Sequence, residues 1–457
     1  MKKREKILQG IIYKMQKGNL FFRIMPGILA GLLIFGEITH ILDQMLVRED
    51  EWMRIMWHHF YEDAGKIDNI YIGSSHVYCD LDPAILDQLN GQYNFNLTTP
   101  SQRLNGCYYL LKEADRTNKL SHVYLELYYE GNYNDTELLN YKCNWRNTDF
   151  MKPSLNKAAY WFAIGGPDQY INALLPFSRY RTSLGDWNRI KTNMERKEQE
   201  EYKNYQYERV YEDGNGRDIY ERQGGYKSTR EYKDSEKLRK QYEILTDYSI
   251  GERNEEYCHK MVKYCKEKGI PITLFISPIY DLQLVSTVDY DDYTAAIRAF
   301  AAEEGVPFYD FNLIKEEYLP IQDGKYFFDS GHLNQYGREK YTPFFYHVVS
   351  GEEADNEKYF CNSYEERLRE SAPALYGVYE ELSEEGDENR TLWAASSRGA
   401  EMEYRITLTP DGKRRRQIQD FQSNMAFQVP LEEHGVCTIA ARVKETPTEM
   451  RTMSVRY

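Results

Sequence analysis

Hydrophobic and polar positions along the 457-residue chain fall into successive textures. After a Lys/Arg-rich start, Ile24 to Gly36 is free of charge, and counting from Leu20 gives 17 residues, the short end of a bilayer span. Ile67-Asp-Asn-Ile-Tyr-Ile-Gly73 then reads as a short strand ending in glycine, followed by a Ser74-Ser75-His76 turn and a helix around Pro83 to Leu89. Gln92 to Leu97 and Ser121 to Tyr129 read as two further strands, separated by a helix from about Gln102 to Thr117. Strand and helix alternating across short loops predict a doubly wound parallel sheet.

The rhythm breaks between about 135 and 250, a stretch with Trp145, Trp161, Trp187, a charged run and paired glycines. It is expected to be a largely helical insertion, either a lid or substrate platform over the sheet or a solvated decoration. The α/β rhythm resumes with a helix over Glu255 to Lys268, a strand Ile272 to Ser277, a helix Tyr290 to Glu304, a strand Val306 to Phe311 and a last helix Gln335 to Val349. Residues 351 to about 372 are acidic and linker-like. Beyond them Met402, Tyr404, Ile406 and Leu408 alternate with polar residues up to a Pro410-Asp-Gly412 turn, and Val436 to Val443 continues the pattern, predicting a β-sandwich over 373–457. Lys413 to Arg416 at its first hairpin is either a solvated turn or a contact for an anionic wall polymer or lipid head group.

Charge narrows the function classes. The chain stands at −14, and its first 23 residues hold seven of the 58 Lys/Arg but one of the 72 Asp/Glu, so the remainder stands at −20. Such a body excludes nucleic acid as a partner, because phosphate contacts need clustered cations. The basic flank places residues 1–19 in the cytoplasm, an anchor at 20–42 in the membrane and the main body outside. A cleaved signal peptide is the alternative, although LLIFGEITHILDQ offers no small-x-small cleavage site. Seven scattered cysteines without CxxC or CxxH spacing predict neither a zinc site nor a disulfide framework, and Cys258 and Cys265 are expected in the core. No metal or cofactor is expected. The 41 tyrosines suit surfaces that hold polar ligands such as sugars.

Two segments carry chemistry. Ile72-Gly73-Ser74-Ser75-His76 follows the first strand, so a serine hydroxyl there stands at the carboxyl edge of the sheet, where ligands of open α/β sheets bind. The pattern is not GxSxG. Far downstream, Asp329-Ser-Gly-His332-Leu-Asn-Gln-Tyr-Gly337 precedes the last helix; a carboxylate three residues before a histidine can fix its tautomer while the other ring nitrogen faces a serine.

Together these segments resemble the SGNH (GDSL-type) hydrolase superfamily. Gly73-Ser74-Ser75 stands where that family has Gly-Asp-Ser, and Asp329-Ser-Gly-His332 where it has Asp-x-x-His. The resemblance implies an SGNH-like (flavodoxin-like) three-layer α/β domain over 60–350, with Ser75 as nucleophile, His332 as general base and Asp329 as its orienting partner; Ser74 is a rival for the nucleophile. The middle blocks depart from the family. Oxyanion donors fall to the Thr98 backbone N–H and to Asn132 or Asn134, with Glu130 at the strict position of the family's asparagine.

The anchor and the Gly-Ser-Ser variant resemble the branch that includes O-acetylation proteins of alginate-type polysaccharides and the D-alanylation protein of teichoic acids. That implies a bacterial membrane protein working on a cell-surface glycan or wall polymer beside a membrane-bound O-acyltransferase. The expected activity is a serine O-acyltransferase or esterase acting on acyl, above all acetyl, groups; the alternative is a non-catalytic glycan-binding or assembly protein with a degenerate SGNH domain.

Overall fold

The computed structural model describes residues 20–47, 51–129, 141–164, 169–212, 214–233, 238–240, 242–243, 250–351, 357–381, 388–397, 401–446 and 450–457. It divides into two compact units, Met1–Glu51 with Gly165–Tyr205, and Trp52–Ile164 with Gln206–Tyr457.

The first unit is built on a continuous helix, Leu20–Leu46. Its stretch Ile24–Leu46 is long and apolar enough to cross a membrane, at about 35 Å for 1.5 Å per residue. Ile28, Leu29, Leu32, Leu33, Ile34 and Phe35 are each more than half exposed within the unit. The far end of the helix is tied down by the Trp187–Glu198 helix. Lys197 Nζ donates to the carbonyls of Gln44 (2.9 Å) and Val47 (3.0 Å), and Asn193 donates to those of Met45 (3.1 Å) and Val47 (3.0 Å). A helix leaves its last carbonyls without backbone partners, and these two side chains supply them.

The second unit contains β1 (Asn69–Ile72), β2 (Asn94–Asn96), β3 (His122–Glu126), β4 (Glu208–Val210), β5 (Arg217–Tyr220), β6 (Tyr226–Ser228), β7 (Arg239–Lys240), β8 (Tyr242–Glu243), β9 (Ile272–Ile276), β10 (Thr287–Val288) and β11 (Phe308–Asp310). Five of these form a parallel sheet in the order β2-β1-β3-β9-β11. The chain enters in the interior, steps outward to β2, then crosses back over β1 to continue on its other side. That reversal opens a crevice at the carboxyl ends of β1 and β3, the place where open α/β sheets bind ligands.

The two faces of the sheet differ in chemistry because alternate residues of a strand point to opposite sides. Tyr71, Tyr124, Phe275 and Tyr309 line one face, where Phe345 of the Gln335–Ser350 helix packs against Tyr71, Tyr124 and Phe275. Tyr71 and Tyr124 stack across neighbouring strands at 4.5 Å. Ile70, Ile72, Val123, Leu125, Leu274 and Ile276 alternate with them and are buried too. The Leu104–Thr117 helix packs on the Glu252–Lys268 helix and against β1. Both sides are therefore covered, as a parallel sheet requires. Cys258 and Cys265 are buried, as are Cys79, Cys107, Cys361 and Cys437; none of these six is in a disulfide, and burial raises each thiol above its usual pKa.

Two stretches differ from the reading of the sequence. The region expected to be a largely helical insertion is helical over Tyr141–Phe150, Leu155–Ile164, Tyr170–Leu174, Trp187–Glu198 and Glu200–Lys203, but its later part, Glu208 to Ser228, forms an antiparallel three-stranded sheet in the order β4-β5-β6. Gly214, Gly216 and Gly224, all at positive φ, make its turns. The linker-like stretch holds a helix, Tyr364–Glu370, whose Arg367 is buried and donates two hydrogen bonds to the fully buried Asp281. Tyr364 and Tyr376 add their hydroxyls to the same carboxylate at 3.0 and 3.1 Å. Acidic composition concealed one cation that is paired, not solvated.

The C-terminal part contains β12 (Leu375–Glu380), β13 (Asn389–Ser396), β14 (Met402–Pro410), β15 (Arg416–Gln422), β16 (Ala426–Pro430), β17 (Gly435–Val443) and β18 (Met450–Arg456). Joined by β7 from the insertion, they form two four-stranded sheets, β16-β13-β12-β7 and β15-β14-β17-β18, around one core that includes Val378, Leu392, Tyr404, Ile439 and Val455. The Lys413 to Arg416 cluster lies on the surface, with Lys413 and Arg416 both paired to Glu433.

Candidate active site

The carboxyl end of β1 turns sharply into a short helix, Ser75–Asp80, capped by Ser74. Gly73 makes the turn possible: it has φ +154°, and a Cβ there would stand 2.6 Å from Glu126 Cβ and 2.9 Å from Val77 Cγ2. The backbone beneath Ser75 is pinned from two sides. Ser74 N–H donates to Glu126 Oε2 at 2.8 Å, while the buried Thr98 hydroxyl bonds the carbonyls of Gly73 and Ser74. Thr98 thus holds the turn through its side chain.

The second half of the site is the loop before the Gln335–Ser350 helix. Asn334 caps that helix, accepting from the N–H of Tyr336 and Gly337, and the bend ahead of it exposes His332. His332 Nε2 lies 2.7 Å from Ser75 Oγ. Its Nδ1 faces Asp329, 2.9 Å from Oδ1 and 3.0 Å from Oδ2. The N–H groups of Gly331 and His332 both donate to Asp329 Oδ1 at 2.9 Å. Burial pushes the Asp329 carboxyl up, but the His332 imidazole and these donors outweigh it and hold the group at about 2. Asp329 is therefore ionised wherever the imidazole is at work, and it selects the tautomer whose Nε2 can accept the serine proton.

Neighbours hold the imidazole plane. His332 stacks on His76 (4.5 Å between ring centres, 18°) and on Phe328 (5.4 Å, 8°). Burial pushes His76 well below the ordinary imidazole pKa, and the adjacent His332 lowers it further, so the ring beside the base is neutral. The loop is also braced from the side: Ser330 Oγ donates to Gln283 Oε1 at 2.8 Å, and Gln283 lies on the Asp281–Leu284 helix anchored by Arg367.

A hydroxyl hydrogen-bonded to an imidazole that is backed by an ionised carboxylate can act as a nucleophile towards an acyl carbon. No family model matches the chain. No curated protein matches it either. Among solved structures, an endo-beta-1,4-mannanase double mutant from Cellulomonas fimi aligns over 91% of this chain and 99% of its own, at 9% identity and a TM-score of 0.15. That value is too low to carry any argument about fold or chemistry.

The structure brings Ser75, His332 and Asp329 together. Ser74 is buried, and its Oγ caps the helix by accepting from His76 N–H, so of the two serines it is Ser75 that meets the imidazole. Asn132, Asn134 and Glu130 lie outside the described residues. The N–H of Ser75 is among the first-turn donors that helical carbonyls do not take. The sequence reading missed Glu126 and His76. An acid closing an otherwise apolar strand, and a histidine in the serine motif itself, were the available signals.

One cluster has the donors of a metal site: ligand atoms of His58, His59 and Glu62 lie within 4.8 Å of one another. Arg222 Nη1 stands 3.0 Å from Glu62 Oε2 and 3.3 Å from His59 Nδ1, so a guanidinium already supplies the positive charge there.

Proposed function

We propose that the protein is a membrane-anchored serine O-acyltransferase or esterase acting on acyl groups, above all acetyl, of a cell-surface glycan. The observation that carries this reading is the 2.7 Å approach of Ser75 Oγ to His332 Nε2, with Asp329 behind the imidazole. The motifs resembling the SGNH superfamily meet at one point, and the strand order β2-β1-β3-β9-β11 agrees with a flavodoxin-like layout of that kind. The apolar Ile24–Leu46 helix fits an anchor in a bacterial membrane, and the Lys/Arg-rich flank before it favours an N-terminus inside and the body outside.

Ser75 Oγ bonds to the acyl carbonyl carbon as its proton passes to His332 Nε2, and Asp329 stabilises the resulting imidazolium. Collapse of the tetrahedral adduct breaks the bond to the leaving alcohol, which takes the proton from His332. The acyl-serine is then attacked by a sugar hydroxyl or by water, with His332 again as base. A membrane-bound O-acyltransferase would deliver the acyl group, and the C-terminal sandwich would hold the glycan.

The test is acetate release from p-nitrophenyl acetate and acetylated xylan by the full chain in detergent, with Ser75→Ala as control, together with labelling by a fluorophosphonate. Release and labelling lost in Ser75→Ala support the reading. A Ser75→Ala protein that labels as well as the parent removes the triad and leaves a glycan-binding protein.

A further inference from the structure

The carboxyl group of Glu126 is used by no step above, yet it touches the nucleophile's turn directly, through the Ser74 N–H. We propose that Glu126 is a positioning residue for Ser75: in its neutral form it packs beneath Gly73 and holds the serine turn in line with His332, and its ionisation loosens that turn. The inference rests on the serine reading of the site and adds a second titrating group to it.

The geometry makes the case. Glu126 ends β3, 2% exposed, and its Cβ lies where a side chain on Gly73 would have to be. Oε2 accepts the Ser74 N–H, and Oε1 is buried with no hydrogen-bond partner. A carboxylate with a buried, unpartnered oxygen is strongly disfavoured, whereas a protonated one is tolerated. The groups facing it sharpen the imbalance. The Ser75–Asp80 helix contributes Asp80, fully buried and itself driven up by burial, and the histidine loop contributes His332. Cys107 from the Leu104–Thr117 helix and Tyr341 from the Gln335–Ser350 helix also feel its charge, and burial keeps both neutral. Among these groups, His332 is the one that can offset the charge of Glu126. Burial pushes the Glu126 carboxyl up to about 7, against the help of the Ser74 N–H.

The consequence has a definite sign. With a folded-state pKa above that of the unfolded chain, Glu126 is neutral and compatible with the fold at low pH. Its contribution declines as pH rises from about 4.5 through about 7, then levels off. The serine turn itself should lose order only as the folded-state group ionises, around and above pH 7.

The experiment compares the full chain with Glu126→Gln, which keeps an acceptor for Ser74 N–H and does not titrate. We expect parent and variant to have matching midpoints of urea unfolding near pH 4.5 and to diverge towards pH 8, with the parent falling relative to the variant. In p-nitrophenyl acetate hydrolysis, the parent should lose rate above pH 7 and Glu126→Gln should hold its rate there. Parallel stability curves, or an alkaline decline identical in both proteins, would overturn the proposal. If Ser75→Ala shows that hydrolysis was never serine-dependent, the proposed function falls, while the stability pair still decides whether Glu126 titrates as the turn requires.

Discussion

The two halves of the site are built in opposite ways. The serine turn is assembled from distant parts of the sheet: Gly73 and Ser74 from the end of β1, Glu126 from β3 and Thr98 from just beyond β2. The histidine loop is assembled locally, with Asp329 bonded to the N–H groups two and three residues on. Each half contains one carboxyl beside the reacting groups, and their proton affinities move apart. Asp329, surrounded by donors and a histidine, falls to about 2; Glu126, buried beneath the serine turn and bonded through Ser74, rises to about 7. Burial acts on both in the same direction; at Asp329 the adjacent His332 imidazole and the backbone donors outweigh it, whereas at Glu126 burial prevails.

This contrast can be broken from its strongest point downward. Asp329→Asn should lower the rate of Ser75-dependent ester hydrolysis by about a thousandfold or more, read as kcat of the folded protein, because the amide no longer favours the useful tautomer. Arg367→Met leaves Asp281 buried without its guanidinium and should cost about 3 to 5 kcal/mol in urea unfolding, although the substitution is far from Ser75 in sequence. Gly73→Ala drives a methyl into Glu126 and Val77; a loss of about 1 to 3 kcal/mol, with the turn displaced and the rate reduced, is expected from unfolding and kinetic measurements. Ser330→Ala removes one side brace of the histidine loop and should cost about 1 kcal/mol or less, read by the same denaturation.

The acid side sharpens the comparison further. Asp329 is held below its unfolded value, so its contribution to stability is complete above about pH 4 and is lost as pH falls towards 2. A stability profile of the parent against Asp329→Asn should therefore diverge in the opposite sense to that of Glu126→Gln.

How much of this was legible in the sequence depends on whether the signal was local. β1, β3 and β9 stood out because they are short, largely apolar runs, within Ile67 to Gly73, Ser121 to Tyr129 and Ile272 to Ser277. Asp329 and His332 could be paired on spacing alone. Glu126 could not, since its role depends on parallel pairing with a strand about 50 residues earlier in the chain. β15 escaped because it is an edge strand with a largely exposed, polar face, and polar edges do not alternate. The β4-β5-β6 sheet escaped for a related reason: its glycines read as loop, while the charged run before it read as helix. The Tyr364–Glu370 helix reads as linker because Arg367 finds its counter-charge 86 residues upstream, at Asp281.

Cys79, Cys107, Cys258, Cys265, Cys361 and Cys437 have a chemical consequence for a protein read as living outside the cell. Disulfide exchange and oxidation proceed through the thiolate, and each of these sulfurs is both out of solvent and held in its protonated form. Reaction with an oxidant would need the core to open first, so the folded chain resists scrambling at these positions without a cross-link among them. Such a body could pass through an oxidising compartment with no disulfide-forming partner, and the redox chemistry of these thiols would begin only where the fold ends.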